Sequence, residues 1–313
     1  QAISAFEEAR ALDILPHDDA LQLERELALL YVQQDRYADA VAILETLPEP
    51  DRESRLLLAQ SYLQLARYRD AGRLLEELTH DGQSADKTLY EALFFCQHTL
   101  GETSAAASTL QELIEIEPDA PIYWRQLASL HYENGSTNHA LAVLEAAYLQ
   151  DVLQADDLLN MVSLYQAEGV PYKAAMLLQR LLDERRLDNS IERHEQLVNL
   201  WLSARETVPA IKTLKRLIAR SPTAERWLRL GQMHIDQAQW SSATLALKTA
   251  VNTETTGNSL SPERLAEAWL WLGIAYFESG HQQQARIAFQ RSERYSFTRL
   301  MAQQWLSYLE SSG

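Results

Sequence analysis

The sequence has little of what most chemical sites are built from. It holds one cysteine, Cys96, which rules out a disulfide framework and any cysteine-rich metal site and leaves the compartment open. Ten glycines and nine prolines are few for 313 residues, which argues against an all-β fold full of tight turns. No apolar run reaches the length that crosses a bilayer. Basic residues are outnumbered 28 to 44, for a formal net charge of −16, so phosphate-rich surfaces are repelled. That excludes a general nucleic-acid or acidic-membrane binder. There is no Gly-rich phosphate loop and no G-x-S-x-G. The chain opens at Gln1 inside a helical pattern, and is expected to be a segment of something longer, with its targeting signal elsewhere.

What is present is a repeat. Hydrophobic residues make up 46% of the chain, enough for an extended array or for two compact domains. Trp269, Leu272, Gly273 and Tyr276 follow the spacing W-x2-L-G-x2-Y, and Ala285 and Phe289 follow nine and thirteen residues after the Tyr. Trp227, Leu230, Gly231, His234, Ala243, Leu247 and Ala250 fill the same slots one unit earlier. Walking the Tyr slot backwards gives Tyr31, Tyr62, Gln97, His131, Tyr165, Trp201, His234 and Tyr276. An alanine follows each by nine residues: Ala40, Ala71, Ala106, Ala140, Ala174, Ala210, Ala243 and Ala285.

Each unit reads as two antiparallel helices. The alanine lets the second helix approach the first, and the bulky slots fill the gap to the next pair. Gly101, Gly135, Gly169 and Gly280, four residues after the Tyr slot, are expected to end the first helix in a left-handed conformation. Pro118 and Pro222 mark the ends of second helices. Thr253–Pro262, inside the one long step, reads as a longer loop.

These slots resemble the tetratricopeptide (TPR) family. The resemblance implies an all-α, right-handed superhelical solenoid of about eight helix pairs. Residues 1–20 would be the second helix of a truncated repeat, with Ala2, Phe6 and Ala9 in its slots, and a linker. Residues 21–297 would be eight units, and 298–313 a capping helix, apolar at Leu300, Met301, Trp305, Leu306 and Leu309.

The resemblance also implies a partner on the concave face, which the first helices line. The family's contact slots fall here on Leu56, Gln60, Gln64, Glu91, Phe95, His98, Arg125, Ser129, Tyr132 and Glu133. Further along they fall on Ser163, Gln166, Asn199, Gln232, Asp236, Ile274 and Glu278. Such a mixed polar and aromatic lining suits an extended peptide or a partner helix. The carboxylate clamp of chaperone-binding members is absent: its positions hold Arg25, Leu29, Leu57, Thr88 and Ala92.

No catalytic, cofactor or metal residue stands out. No two of the eight histidines have zinc spacing on one helix, and His131, His194 and His234 occupy packing slots. Cys96 reads as a buried thiol, and Trp240, Trp271 and Trp305 as packing residues off the slots, with Trp271 a candidate for an exposed groove.

The charge is uneven. Residues 1–150 hold 26 acids and 10 bases, whereas residues 151–313 hold 18 of each. From Thr88 to Tyr172 there are 12 acids and one base, Arg125, while Arg205–Arg229 has seven bases and two acids. An acidic middle around Glu112–Asp119 would prefer a partner with a basic segment.

The function expected is therefore a non-enzymatic adaptor or scaffold, without cofactor, nucleic acid or membrane span. Phe289, Arg294, Ala302, Trp305 and Tyr308 resemble the end of periplasmic TPR adaptors of bacterial TonB–ExbB–ExbD systems. The alternatives are a TPR module of an exopolysaccharide-export or outer-membrane assembly machine, or the TPR region of an enzyme such as a glycosyltransferase. A periplasmic location is expected, with the cytoplasm as the alternative.

Overall fold

The computed structural model describes residues 3, 6–8, 16–81, 86–252 and 259–311. Among these residues every regular element is helical and no strand forms. Two compact units divide the chain, residues 1–158 and 159–313. In the first, α1 (His17–Gln33) packs on α2 (Tyr37–Leu44), α3 (Arg52–Gln64) on α4 (Tyr68–Thr79), α5 (Lys87–Thr99) on α6 (Thr103–Ile116), and α7 (Pro121–Glu133) on α8 (Thr137–Leu149). The unit boundary falls inside α9 (Ala155–Ala167). The second unit contains α10 (Pro171–Asp183), then α11 (Ile191–Ser203) on α12 (Thr207–Arg220), α13 (Ala224–Asp236) on α14 (Trp240–Asn252), and α15 (Pro262–Glu278) on α16 (Gln282–Glu293). The last helix, α17 (Arg299–Ser311), closes on α16. Within each unit second helices also pack on the next first helix, as α4 does on α5 and α12 on α13.

The eight slot alanines explain the pairing. Each has 0% of its surface exposed, so the second helix sits against the first with room for one methyl group. Gly231 and Gly273 mark still closer approaches. A Cβ on Gly273 would lie 2.5 Å from Cε1 of Phe289, and one on Gly231 would lie 2.4 Å from Cγ of Leu247. Helix starts are set by local chemistry. Asp51, Asp86, Ser190, Thr223 and Ser261 each accept a backbone N–H of the first turn, and Pro121, Pro171 and Pro262 stand at first positions, where no N–H is needed.

The turn between paired helices makes the same demand in every repeat. Gly101, Gly135, Gly169 and Gly280 have φ of 70–78°, as expected. The equivalent residues of the other four repeats, Asp35, Ala66, Arg205 and Ala238, have φ of 52–60° without being glycine. A left-handed L-residue is strained by about 1–2 kcal/mol, partly offset by the unfolded-state entropy that glycine adds. Ala66→Gly or Arg205→Gly is therefore expected to stabilise the protein by about 0.5–1 kcal/mol. A higher denaturant midpoint at constant slope checks this.

Several boundaries differ from expectation. Helix α1 begins at His17, one turn ahead of Leu21. Helix α15 begins at Pro262, the last residue of the expected loop, and has 17 residues where α11 and α13 have 13, an extra turn started by the Ser261 cap; residues 253–258 lie outside the described part. Ala2 and Ala9 also lie outside it, whereas Ile3 is buried and Phe6 packs on the first unit's core. In α17, Ala302 and Leu309 are buried, but Leu300 and Met301 are 76% and 47% exposed, so those two do not close the last apolar face. Trp271, weighed above as a groove residue, is part-buried against the core of the second unit.

Two repeats of the first unit share a polar staple. Tyr62 donates its hydroxyl to Glu45 at 2.8 Å, while the Arg67 guanidinium lies 4.4 Å above the Tyr62 ring and pairs with both Glu45 and Asp70. Tyr31 repeats this with Glu7, Arg36 and Asp39. Tyr123 donates to Glu91. Burial first, then the carboxylate acceptor, pushes Tyr62 and Tyr123 up to about 12. A raised phenol pKa means that the folded state holds a proton the unfolded chain releases. This stability is complete below pH 10 and is lost as pH rises towards 12. Denaturant midpoints measured across that window are expected to fall, and to fall less in Tyr62→Phe.

Candidate interaction surface

The slot residues of the first unit lie on α3, α5 and α7. Leu56 is half-buried against the core, and Glu91 is taken up as the acceptor for Tyr123. Gln60, Gln64, Ser129 and Tyr132 are exposed. Phe95 is 50% exposed, with its ring edge-on to Tyr68 at 5.5 Å. Arg125 lies 3.9 Å from Asp157, a carboxylate only 6% exposed. His98, also exposed, stacks on Phe94, and Ser129 donates to Glu133 at 2.9 Å. The open surface is thus a row of amides with two aromatic rings.

Glu112 and Glu115 belong to α6, a second helix, and not to this row. The acids of the row itself are Glu91 and Glu133, and Glu117 is occupied by Lys87 at 2.8 Å. The acidic middle therefore spreads over more than one face, so composition alone overstated its concentration in a groove.

In the second unit, α9, α11 and α13 form a groove of about 540 Å³. It joins two of the expected residues, Gln166 and Asn199, to Ile191, Glu192, Glu195, Gln196, Leu200 and Arg226. Glu195 organises one wall: Arg226 donates to it at 2.7 Å and Arg229 at 3.4 Å, each from one repeat away. A second Arg229 nitrogen reaches Oδ1 of Asn199 at 2.6 Å, which fixes the amide and leaves its NH2 group as a donor. Ser163, exposed, donates to the Leu159 carbonyl. Gln232 is half-buried, Ile274 packs towards the C-terminal core, and Asp236 and Glu278 are exposed; none of these lines the groove. Glu192, Glu195 and Arg226 were missed, because a site of this kind is made by three helices whose spacing a linear reading does not supply.

The Arg205–Arg229 excess is partly spent inside the fold. Arg226 and Arg229 serve Glu195, and Arg220 holds Asn189 at 3.0 Å. What remains exposed is Arg205 in the turn before α12 and Lys212, Lys215 and Arg216 on α12 itself.

Cys96, His131, His194 and His234 each have a defined packing or hydrogen-bond environment. Cys96 is fully buried, and burial pushes its thiol up to about 11. His234 is buried with Nδ1 2.7 Å from Oε1 of Gln239, and burial holds its pKa below the usual value. His131 stacks on His139 at 5.4 Å, and Nδ1 of His194 lies 2.9 Å from the Ser190 carbonyl. Among the described residues no group of three or more His, Cys, Asp or Glu could hold a metal ion. No described helix is long and apolar enough to cross a membrane.

Helix pairs closed by an alanine slot, with polar grooves along their first helices, define a tetratricopeptide-repeat protein. The tetratricopeptide-repeat family model matches residues 267–295. A second family model, described as ChAPs (Chs5p-Arf1p-binding proteins), matches residues 23–208, more than half of the chain, and the chain belongs to that family. No curated protein matches it. Among solved structures, it is similar to YrrB, a TPR protein with an unusual peptide-binding site, at 16% identity over 64% of this chain and 98% of that one, with a TM-score of 0.42. It is also similar to the C-terminal part of a TPR repeat-containing protein from Cytophaga hutchinsonii, at 13% identity over 78% and 96%, with a TM-score of 0.43. The structure of Naa15/Naa10 bound to HypK-THB matches at 13% identity over 93% of this chain and 49% of that one, with a TM-score of 0.49.

Proposed function

We propose that this chain is a non-catalytic adaptor that holds a partner protein on the first-helix faces of its repeats. The groove between α9, α11 and α13 is the seat for an extended segment. The observation that carries this reading is the groove's lining. Gln166, Gln196 and Asn199 offer amides that suit a peptide backbone, and the Glu195–Arg226–Arg229 cluster beside them holds Asn199 without leaving a strong net charge. The acid-rich first unit adds a preference for a partner with a basic segment. The family's description, which names proteins bound by its members, supports a protein partner and does not fix which one.

A periplasmic role with a TonB-type system is the narrower form of this proposal. Its support is the C-terminal pattern, and much of that pattern has a packing duty. Phe289 and Trp305 stack at 5.5 Å, Ala302 is buried, and Tyr308 meets Trp305 edge-on. The compartment therefore needs its own test, a fractionation of cells producing the full-length protein.

Immobilised protein incubated with host extract tests the adaptor reading. Retention of one main partner is expected, weakened about tenfold or more when Gln166→Ala and Asn199→Ala are combined, because few residues dominate such interfaces. No retained protein, or the same affinity in the double variant, would sink the proposal.

A further inference from the structure

A second cavity shares only α13 with the groove and is otherwise built on second helices. It measures about 410 Å³ and sits where α12 and α14 splay over α13. Its floor is Trp227, Leu230 and His234, and it shares no lining residue with the groove described above. Its walls are apolar, with Ile218 from α12 and Leu245 and Ala246 from α14.

Leu245 is 68% exposed at the cavity mouth. The corresponding positions of the other repeats are mixed: Arg73, Ser108 and Lys212 in three, Ala42 and Ala142 in two, and the exposed Met176 and Ile287 in two, so what sets Leu245 apart is the cavity beneath it and the cations beside it. The rim is cationic. Lys215 lines the cavity, Lys212 and Arg216 are exposed beside it on α12, and Lys248 follows Leu245 by three residues, on the same side of α14. Of the stretch's other arginines, Arg226 and Arg229 are taken up by Glu195 and Arg220 by Asn189, while Arg205 lies in the turn before α12.

We propose that this cavity docks an acidic amphipathic segment of a partner protein, an aliphatic or aromatic side chain filling the pocket while carboxylates meet the α12 and α14 cations. The apolar mouth supplies the desolvated anchor, and the uncompensated rim supplies orientation and association rate. The chain would then carry two seats of different chemistry in its second unit, a polar one along the first helices and a cationic–apolar one on the second helices.

The probe is a short, fluorescently labelled amphipathic peptide, Glu-rich on one face and Leu- and Phe-rich on the other, titrated into the full chain by anisotropy. A counterpart with every Glu replaced by Lys is run beside it. The acidic peptide is expected to bind with an affinity that falls as salt is raised. Combining Lys212→Glu, Lys215→Glu and Arg216→Glu is expected to weaken it about tenfold or more, and Leu245→Asp to do the same. All four positions are exposed, so circular dichroism should show an unchanged fold. Asn199→Ala should bind as the parent does, which separates this site from the adaptor groove. The proposal is overturned by equal affinity for the lysine peptide or by an unaltered affinity in both pocket variants. It is equally overturned by self-association of the parent that Leu245→Asp abolishes, which would make a second copy the occupant. Binding to phosphatidylserine vesicles with no affinity for the acidic peptide would overturn it in favour of a lipid.

Discussion

Phe289→Ala is expected to destabilise the second unit by about 3–5 kcal/mol, the range for removing a fully buried aromatic side chain. The ring is 0% exposed and lies within 5.5 Å and 8° of parallel to Trp305, which in turn packs on Phe277 and Tyr308. Its other side fills the space that Gly273 leaves by lacking a Cβ, where the ring comes within 2.5 Å of the position a Cβ would take. A loss of this size corresponds to a fall in melting temperature on the order of 10 °C. Because repeats stabilise one another through nearest-neighbour contacts, the damage should concentrate at the C-terminal end. Amides of α17 are expected to exchange first, well before those of α11. Uniform loss of protection across the unit would mean that the last repeat and its cap are more strongly coupled to the others than neighbour contacts imply.

Ala140→Leu is expected to cost the first unit about 1–3 kcal/mol through overpacking. Ala140 is 0% exposed between α7 and α8, where the slot admits one methyl group. The control lies two residues away on the same helix. Ala142 is exposed, so Ala142→Leu should change stability by no more than about 0.5 kcal/mol. Paired urea titrations check both. Equal effects at the two positions would contradict the helix-pair geometry, since chemistry and helix propensity are the same at each.

The parts of the fold that were legible in the sequence are those written in one residue type at a fixed spacing. Eight alanines nine residues after the Tyr slot all proved fully buried, and four glycines predicted to be left-handed are so. Half of the turns were not legible. Asp35, Ala66, Arg205 and Ala238 adopt the same conformation because the packing of each pair demands it, whatever the residue prefers. The extra turn of α15 was hidden by composition: Ser261 and Pro262 look like loop residues, yet they are also the residues that start a helix.

The surface was legible to a lesser degree. The slot rule placed Gln166 and Asn199, which the groove unites, but also Leu56 and Glu91, which serve packing and a tyrosine. The staple at Tyr31–Arg36–Asp39 and Tyr62–Arg67–Asp70 was written in the sequence as a repeated Y-x4-R-x2-D, and its carboxylate acceptors, Glu7 and Glu45, were not. Charge counts show where bases are dense. Only the ion pairs to Glu195 show that Arg226 and Arg229 are committed while Lys212, Lys215 and Arg216 stay exposed on α12.

The central claim is that a protein partner sits on the first-helix face. Photocrosslinking tests it most directly, with benzoylphenylalanine placed singly at Gln166, Asn199 and, on the second-helix face of the first unit, Glu112. The account predicts a discrete adduct with one partner protein from Gln166 and Asn199 and none from Glu112. Adducts from Glu112 with none from the groove positions would contradict it.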